Sequence, residues 1–415
     1  NQSGLKQYRN QQIFGDEEQP PEVVGNTQQA IKMIDNNINA VVYVTEDEYK
    51  NIARHTPVKL LYASAKILPI QPPKATTKQT IQQIPTNLWQ DMITHFDFTE
   101  DFDRTAVVDE RNHLLQNKNN LQTMIQNSIP YLAYVNSQCR QLQLPRELAL
   151  LPMVESEYNP FAYSPSGASG LWQIMPQTAT LFDLNLSWWY DSRRDVLLST
   201  HVALNYLKQL NHHYGNWYEA LTAYNAGPTM TNTWLKRQAV INNNYWQIKF
   251  PAANKAYVVK LIAIASIIAR SKQYKVHLPT LSTKPFFTTI ALTSQLSLPT
   301  ISQFSAVSTN LIKYLNPALL RNATSNRGRY TLLLPVYAVK QFIKNMNAHV
   351  GQPYRNWLYH QVHDNETLQH IATEYHTSVQ QLENMNGITT NAIENGAGLI
   401  VPVTLGARFS PIIAK

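Results

Sequence analysis

Two stretches of sequence decide the fold, Glu155-Ser156 and Gly170-Leu171-Trp172-Gln173-Ile174-Met175-Pro176, and a third, Ala223-Tyr224-Asn225-Ala226-Gly227-Pro228, follows them. They combine one carboxylic acid, a turn punctuated by glycine, and a later turn with an aromatic and an amide side chain. These are the parts needed to hold a sugar polymer and cleave it. Because the acid stands alone in these motifs, a glycosidase built on it must find its nucleophile elsewhere.

Glu155 is the candidate acid because of its place in a helical pattern. Leu148, Leu151 and Pro152 precede it at offsets that share one face of a helix. Its carboxyl is therefore expected to point inward, whereas Glu157 should project to the opposite, solvated side. Burial raises a carboxyl pKa, as a general acid working near neutral pH requires. A buried structural glutamate is the alternative interpretation.

Small residues at 164–170 leave room for a ligand or for another backbone segment. The stretch Leu171–Met175 is predicted to enter a helix that presents Gln173 and Met175 to a cleft. Gln173 offers a donor and an acceptor, which suit an acetamido group or a hydroxyl. Four aromatic residues are candidates for stacking on pyranose rings, with the hydrophobic core as the alternative place for each: Trp172, Trp188, Trp189 and Tyr224.

Length and composition indicate a folded chain of two or three domains. The chain has 415 residues, of which 44% are hydrophobic and only 15% are charged. Its formal net charge of +8 favours an anionic partner, such as the carboxylates of a cell-wall polymer. The basic residues are scattered, so we expect no nucleic-acid partner. A diffuse charge that serves only solubility is the alternative.

The single cysteine and the apolar runs add further expectations. Cys139 excludes an intrachain disulfide and is expected to be a small core residue. The apolar run Val258 to Ala269 is interrupted by Lys260 and is shorter than the roughly 20 residues that span a bilayer, so a buried helix is predicted. The chain begins at Asn1 without an export segment. We therefore expect a mature or trimmed form whose signal or lipid anchor lies outside this sequence.

The pattern along the chain changes twice. Residues 1–86 are rich in Gln and Pro, with a strand predicted at 40–44 and a helix at 46–53. A helical region follows, with one helical pattern over Asn120 to Leu142. Asp195 is predicted to cap a helix that ends near Gly215. The next helix, Trp217 to Tyr224, should end at the breakers 225–228.

After Pro279 short strands and helices alternate, and an internal repeat appears. The implied unit is strand-helix-helix-strand and is about 45 to 50 residues long. Each copy runs into a strand that ends in proline, at Pro335 and at Pro402. Six positions of the first copy, Leu298, Ile301, Ser308, Ile312, Leu315 and Asn316, recur at identical spacing as Leu368, Ile371, Ser378, Leu382, Met385 and Asn386.

These motifs together resemble the lytic murein transglycosylases of the goose-type-lysozyme-like superfamily, and most of all their membrane-bound D branch. The repeated units resemble LysM modules, although Asn365-Glu366 stands where a Gly-Asp pair is usual. The resemblance covers roughly residues 87 to 405. It is carried by Leu88-Trp89, Leu148-Ala149-Leu150-Leu151-Pro152, Glu155-Ser156, Pro160, Ser164, Gly167-Ala168, Gly170–Pro176, Trp188-Trp189-Tyr190-Asp191, Arg193-Arg194-Asp195 and Ala223–Gly227.

The resemblance implies a mainly α chain. A lysozyme-like helical catalytic domain is expected over residues 87–280, after an N-terminal extension of unassigned role over 1–86. Small α+β (βααβ) LysM-like modules should follow, a degenerate one over 286–345 and a clearer one over 357–405.

The resemblance also implies a reaction. Glu155 would be the sole catalytic acid and base, protonating the bond between N-acetylmuramic acid (MurNAc) and N-acetylglucosamine (GlcNAc). It would then deprotonate the muramyl 6-hydroxyl, which closes a 1,6-anhydro ring. No cofactor and no metal is implied. The positions that line the saccharide subsites correspond here to Ser156, Ser164, Gln173, Met175, Tyr224, Asn225, Ala226 and Tyr257.

The expected partner is the glycan strand of peptidoglycan, and the expected place is the bacterial periplasm or cell envelope. Outer-membrane association and a lipid anchor stay open, and a monomer is expected. Several histidines lack a carboxylate or cysteine at ligand-like spacing, so a solvated surface is predicted instead of a metal site. They are His212, His213, His360, His363, His370 and His376.

One departure from the family pattern bears on activity. Ala253 and Asn254 stand where a Glu-Thr pair is usual before the Tyr257-Val258 pair. A subsite glutamate is therefore absent. Two alternatives to the transglycosylase follow: a peptidoglycan-binding protein with a weakened or inactive catalytic domain, and a lysozyme-like hydrolase.

Overall fold

A computed structural model describes residues 87–237, 244–292, 294–324, 330–350, 356–388 and 393–403, with only the backbone of Asn356 and Val403. All of these except 180–182 belong to one compact unit. The strand and the helix predicted at 40–44 and 46–53 lie outside the described residues, as does the rest of the extension 1–86.

The first part of the described chain is helical, with short 3-10 turns between the α-helices. The 3-10 turns are Thr99–Asp101, Arg146–Leu150 and Tyr245–Gln247. The α-helices are α1 (Leu88–Ile93), α2 (Thr105–Gln116), α3 (Lys118–Ser128), α4 (Leu132–Gln141), α5 (Leu151–Glu155), α6 (Pro176–Leu181), α7 (Val196–Tyr214), α8 (Trp217–Ala226), α9 (Pro228–Arg237), α10 (Ala252–Ala269) and α11 (Ser271–Tyr274).

The single helical pattern predicted over Asn120 to Leu142 is wrong, because the chain forms two helices there. α3 ends at Ser128 and α4 begins at Leu132. Pro130 lies in the gap between them, and proline cannot donate the backbone N–H that a continuous helix needs. The apolar periodicity survived this break because both helices turn apolar residues, Cys139 among them, toward the same core.

The predicted boundaries of α7 and α8 are confirmed by their caps. The Asp195 carboxylate accepts hydrogen bonds from the backbone N–H groups of Leu197 and Leu198, at 2.8 and 2.9 Å. Gly215 ends α7 at a φ of 68°, in the left-handed region that favours glycine. α8 ends at Ala226, within the predicted breakers 225–228, and Gly227 is its C-cap.

The apolar run around Lys260 forms a buried helix, as predicted. α10 is long and apolar enough by composition to cross a membrane, yet its residues from Tyr257 to Ile268 are buried inside the protein except Lys260. Burial on nearly all sides is typical of the central helix of a globular domain. α10 packs on α2 and α8 and on the 3-10 turn that precedes α5, so it forms the support of the region around Glu155.

Two βααβ units follow, as the repeat predicts. The first consists of β1 (Phe287–Leu292), α12 (Leu298–Ser305), α13 (Thr309–Leu315) and β2 (Tyr330–Pro335), and the second of β3 (Asn356–Gln361), α15 (Leu368–Glu374), α16 (Val379–Asn386) and β4 (Gly398–Val403). Between them lies α14 (Val339–Ala348). Each strand pair is antiparallel, with Phe287 opposite Pro335 and Trp357 opposite Pro402.

The repeated asparagine has the same structural role in both units. The Asn316 amide accepts from the Leu333 backbone N–H at 2.8 Å and donates to the Leu333 carbonyl at 2.9 Å. The Asn386 amide makes the same two bonds with Ile400, at 2.6 and 2.9 Å. Each asparagine thus joins the second helix of its unit to the last strand, which explains why it recurs at this position.

One histidine expectation is wrong. His360 is buried, because it lies on β3 on the face that packs against the rest of its unit. Its Nε2 lies 2.9 Å from the Glu366 carboxylate and its Nδ1 lies 3.1 Å from the Tyr375 hydroxyl. The ring therefore has polar partners inside the unit. His212, His213, His363, His370 and His376 are exposed, as expected.

Candidate active site

Glu155 is the last residue of α5 and lies near Tyr224 of α8 and Tyr257 of α10. The residues that lead to it, Leu148, Leu151 and Pro152, are buried, although Leu148 belongs to the 3-10 turn and not to the same α-helix. Glu155 itself is half-buried. Burial raises the pKa of its carboxyl to about 7, against the opposing effects of Tyr257 and Lys260.

Two residues of α10 act on this carboxyl. The Tyr257 hydroxyl donates a hydrogen bond to Oε1 of Glu155, which favours the carboxylate and lowers the pKa of Glu155. Lys260, three residues further along the helix, lowers it through its positive charge. Tyr224 lies close enough for the Glu155 charge to raise the pKa of its hydroxyl further. Burial and these neighbours together leave Glu155 able to give and take a proton near neutral pH.

Replacing Tyr257 with Phe tests this balance. The lost donor stabilised the charged carboxylate, so the pKa of Glu155 should rise. A protonated acid then persists to higher pH, and the alkaline limb of the kcat/KM profile should move upward by up to about one pH unit. The measurement is initial rate against pH on a soluble glycan. An alkaline limb that stays in place or moves to lower pH would show that Tyr257 does not act on the proton of Glu155.

The stretch Leu171–Met175 is not helical, contrary to prediction. The chain forms a tight turn in which the Ser169 and Ile174 backbones exchange hydrogen bonds at 3.2 Å in both directions. Gln173 has a φ of 46°, which no residue inside an α-helix adopts. The helix α6 starts only at Pro176. Gly170, with a φ of 80°, and Pro176, the first residue of α6, bound the turn, so the apolar residues between them do not form a helix.

The second glutamate is also placed differently from prediction. α5 ends at Glu155, and Glu157 has a φ of 55° outside any helix, so the helical projection does not apply to it. Glu157 is half-buried, and its Oε1 accepts a hydrogen bond from the Asn120 amide at 3.2 Å. The chain turns sharply at this point, which separates Glu157 from the direction of Glu155.

Four of the predicted substrate-binding residues lie on the segment 156–175. The Ser156 hydroxyl is buried and donates to the Leu171 carbonyl at 2.8 Å, so it ties the end of α5 to the turn. The Ser164 Oγ accepts from the Ala168 backbone N–H at 3.0 Å. The Gln173 amide donates to the Gly170 carbonyl at 2.9 Å. The Met175 sulfur lies 4.0 Å from the Ser166 hydroxyl. We call the segment 159–175 the substrate loop, after the substrate-binding role predicted for Ser164, Gln173 and Met175.

A buried ion pair between Asp191 and Arg193 supports the backbone of the substrate loop. Asp191 holds Arg193 through two hydrogen bonds of 2.8 and 3.0 Å, and both side chains are buried. Arg193 in turn donates to the Gly167 carbonyl at 2.6 Å, and Arg194 donates to the Ser169 hydroxyl at 2.9 Å. Gly170 packs directly on this segment, since a Cβ atom there would lie 2.5 Å from the Arg193 carbonyl oxygen.

Asn225 and Ala226 close α8 on the other side of Glu155. The Tyr224 hydroxyl donates to the Trp172 carbonyl at 2.9 Å and so joins α8 to the substrate loop. Asn225 is exposed, and its side-chain Oδ1 accepts a hydrogen bond of 2.7 Å from the side-chain amide of Asn254. Ala226, the last residue of α8, is half-buried. Asn254 therefore orients the exposed amide of Asn225.

The aromatic candidates divide between core and contact roles. Trp172 is fully buried and donates its indole N–H to the Thr200 hydroxyl at 2.9 Å, so it belongs to the core. The Arg321 guanidinium lies 3.8 Å over the Trp188 ring, and Tyr359 meets that ring edge to face with the centroids 4.6 Å apart. The Trp188 ring also contacts Trp189 edge to face. Trp188 and Trp189 are half-buried, as is Tyr224, the candidate that lies near Glu155. Among the described residues, no cluster of histidine, cysteine and carboxylate side chains could hold a metal ion.

Comparisons with known proteins decide the family. The family described as "Transglycosylase SLT domain" matches residues 134–247, "Lytic transglycosylase MltD, LysM-like domain" matches 286–350, and "LysM domain" matches 360–402. The membrane-bound lytic murein transglycosylase D of Escherichia coli (strain K12) is 27% identical over 316 residues, 73% of this chain and 69% of that protein. The chain belongs to the lytic murein transglycosylases.

Other relatives of this transglycosylase match shorter stretches. A protein of Alteromonas sp. (strain M-1) named for tributyltin chloride resistance is 38% identical over 149 residues, 34% of this chain and 70% of that protein. The soluble lytic murein transglycosylase of Escherichia coli (strain K12) is 36% identical over 106 residues, 23% of this chain and 16% of that protein.

Sequence reasoning missed three contributors to the site of this transglycosylase. Lys260 was noted only as an interruption of an apolar run, although it follows Tyr257 by three residues and so shares its helix face. Asn254 precedes Tyr257 by three residues and shares the same face. Arg193 could have been assigned a role from its place two residues after Asp191, a spacing that suits a local ion pair.

Proposed function

We propose that this transglycosylase cleaves the β-1,4 bond between MurNAc and GlcNAc in peptidoglycan and leaves a 1,6-anhydro-MurNAc end. Glu155 is the acid and then the base. The observation that carries the proposal is the electrostatic setting of Glu155. The groups of the described chain that act on its carboxyl, besides burial, are the Tyr257 hydroxyl and the Lys260 ammonium, with no carboxylate among them. A second carboxylate is what ordinary retaining and inverting glycosidases require.

Glu155 carries a proton at the start of the first step. Its proton passes to the glycosidic oxygen, the bond from C1 of MurNAc to that oxygen breaks, and the electron pair stays with the leaving GlcNAc. The positive charge at C1 is shared by the carbonyl oxygen of the 2-acetamido group. Glu155 is now a carboxylate, and the Tyr257 hydroxyl stabilises that form through its hydrogen bond.

In the second step the Glu155 carboxylate takes the proton of the muramyl 6-hydroxyl. The oxygen of that hydroxyl forms the new bond to C1 and closes the anhydro ring. Glu155 is protonated again and ready for another cycle, and no water is consumed. A carboxyl pKa of about 7 suits both steps, because neither protonation state is strongly disfavoured near neutral pH.

We propose the role of each substrate-binding residue from the polar groups that its contacts within the protein leave available to a sugar. Asn225 is exposed, and Asn254 binds its side-chain carbonyl oxygen, so we propose its amide N–H groups as the donors for a sugar hydroxyl or acetamido oxygen. Within the substrate loop, the Ser164 hydroxyl and the Met175 thioether both lie next to the Ser166 hydroxyl. Ser156 and Gln173 are proposed to hold the loop in place, because their donors bind its backbone.

The departure at Ala253 and Asn254 is compatible with activity. Ala253 is exposed and brings no polar group to the site. Asn254 supplies a direct hydrogen bond to the substrate-binding candidate Asn225. We therefore favour the active enzyme over a binding protein with an inactive domain.

We assign residues 87–280 to catalysis and 286–345 and 357–405 to the two LysM-like modules. Peptidoglycan glycan strands are the proposed partner of the second module, and the periplasm or cell envelope is the proposed place of action. The positive net charge of the chain suits the carboxylates of the peptide stems. We propose that the enzyme acts as a monomer.

Product analysis tests the reaction. The purified protein is incubated with peptidoglycan sacculi at neutral pH. The released muropeptides are separated, and their masses are measured by mass spectrometry. The proposal predicts 1,6-anhydro-MurNAc ends. Ordinary reducing ends would instead indicate a lysozyme-like hydrolase, and sacculi that bind the protein without releasing products would indicate a peptidoglycan-binding protein.

A further inference from the structure

The first βααβ unit is bound to the helical domain through its backbone. Residues 318–320 run antiparallel to residues 189–191. The Asp191 N–H donates to the Ala318 carbonyl at 2.9 Å, the Leu320 N–H donates to the Trp189 carbonyl at 3.0 Å, and Tyr190 and Leu319 form a β-bridge between them. Paired backbone groups of this kind fix the two segments in one register.

Aromatic rings extend this contact in two places. Tyr330 of β2 meets Tyr190 edge to face, with the ring centroids 5.8 Å apart. Tyr314 of α13 meets Tyr131 at 5.5 Å and also meets Phe161 at 6.2 Å. Aromatic pairs at such distances are attractive beyond the area that they bury. Phe161 belongs to the substrate loop, so this unit touches the loop itself.

The segment that the unit holds is the same one that braces the substrate loop. Asp191, which donates its backbone N–H to the unit, uses its carboxylate to hold Arg193. Arg193 binds the Gly167 carbonyl, and Gly170 packs against the Arg193 backbone. The loop in turn is tied to the end of α5 by Ser156. A continuous series of contacts therefore joins the first unit to the neighbourhood of Glu155.

We infer that the first LysM-like module, residues 286–345, which contains the first βααβ unit, is a positioning element for the substrate loop, in addition to any role in glycan binding. This inference rests on the proposed function, because it assigns the unit to the site built around Glu155. The unit holds residues 189–191, and these hold the loop in the geometry that the bound sugar meets. Loss of the contact should therefore slow the chemical step without weakening attachment to the wall.

A substitution at the contact tests the inference in the full chain. Tyr330→Ala removes the ring that meets Tyr190, whereas Tyr330→Phe keeps the ring and loses only the 3.3 Å hydrogen bond to Asn316. The substrate is a soluble glycan fragment too short to reach a distant binding module. We expect kcat to fall about tenfold for Tyr330→Ala with KM nearly unchanged, and wild-type values for Tyr330→Phe. Tyr337→Ala, on the same unit but 69% exposed, is the matched control and should behave as the wild type.

Hydrogen exchange gives a second readout that does not depend on turnover. The Ser169 and Ile174 amides are hydrogen-bonded within the substrate loop. In Tyr330→Ala the exchange of peptides covering 164–174 should rise about tenfold, while peptides from α10 stay protected. Should Tyr330→Ala unfold, Tyr314→Ala replaces it, since it removes the contacts to Tyr131 and Phe161 from a half-buried position.

The outcomes separate this inference from the proposed reaction. Unchanged exchange over 164–174 overturns the positioning role, whether or not the protein cleaves glycan. Normal kcat on the short glycan, with a loss confined to intact sacculi, also overturns it and makes the unit a simple tether. Raised exchange over 164–174 in Tyr330→Ala, together with a wild type that yields no anhydro product, would support the positioning role and reject the proposed reaction.

Discussion

Glu155→Gln should reduce the release of anhydro-muropeptides by at least about 10³-fold, because the amide can neither donate the proton to the leaving oxygen nor accept the one from the 6-hydroxyl. The replacement keeps the size of the side chain and can still accept the hydrogen bond of the Tyr257 hydroxyl. The fold should therefore persist. The measurement is the rate of muropeptide release from sacculi, with binding to sacculi measured in parallel.

Glu157→Gln is the matched control for this variant. Glu157 is a carboxyl two residues away whose Oε1 accepts from the Asn120 amide, a bond that glutamine retains. Its rate should stay within about twofold of the wild type, as expected for a substitution outside the reacting groups. If the wild type releases no more product than Glu155→Gln while both bind sacculi, the enzymatic account is wrong and a binding protein remains.

Gly170→Ala should destabilise the protein by about 2–4 kcal/mol and remove most of the activity, since two costs act at one position. The φ of Gly170 is 80°, in the region that side chains other than glycine seldom adopt. A Cβ atom would also lie 2.5 Å from the Arg193 carbonyl oxygen, so the loop must leave its brace. Urea unfolding followed by tryptophan fluorescence gives the loss of stability.

Gly215→Ala separates the two costs of that substitution. Gly215 has a similar φ of 68°, but a Cβ atom there would meet nothing within 4 Å. It should lose only about 1 kcal/mol and retain its activity. Equal losses in the two variants would show that the packing of Gly170 against Arg193 has no separate effect on the substrate loop.

Much of the architecture could be predicted from sequence because its signals are local. The Asp195 carboxylate and Gly215 mark the two ends of α7 through caps that involve only neighbouring residues. The second unit of the repeat was predicted because its strands and helices recur at fixed spacing. Its asparagine, Asn386, recurs because it makes the same pair of hydrogen bonds as Asn316.

Most features that escaped prediction are short breaks in the chain that the apolar periodicity runs across. Apolar periodicity could not show that Pro130 divides one helix into two, since both halves face the same core. The turn at Gln173 is fixed by the Ser169–Ile174 bridge, and the buried Trp172 indole donates to the hydroxyl of Thr200, 28 residues away in the chain. Helical spacing did predict that Glu155 lies near buried residues.

The candidate site shows the same division. Motif spacing brought attention to Glu155, Tyr224 and Tyr257, which the structure places together. Asn254 was predicted only as a departure from a pattern, because its bond to Asn225 joins residues 29 apart in the chain. The contact of the first unit with residues 189–191 spans more than a hundred residues, and no local pattern encodes it.

The central claim is that the nucleophile belongs to the substrate and not to water. Digestion of sacculi in water enriched in oxygen-18 tests it most directly, with mass spectrometry of the newly formed MurNAc ends. The account predicts 1,6-anhydro ends that carry no labelled oxygen. Reducing ends in place of anhydro ends would contradict it, because their oxygen at C1 comes from water and not from the 6-hydroxyl of the sugar.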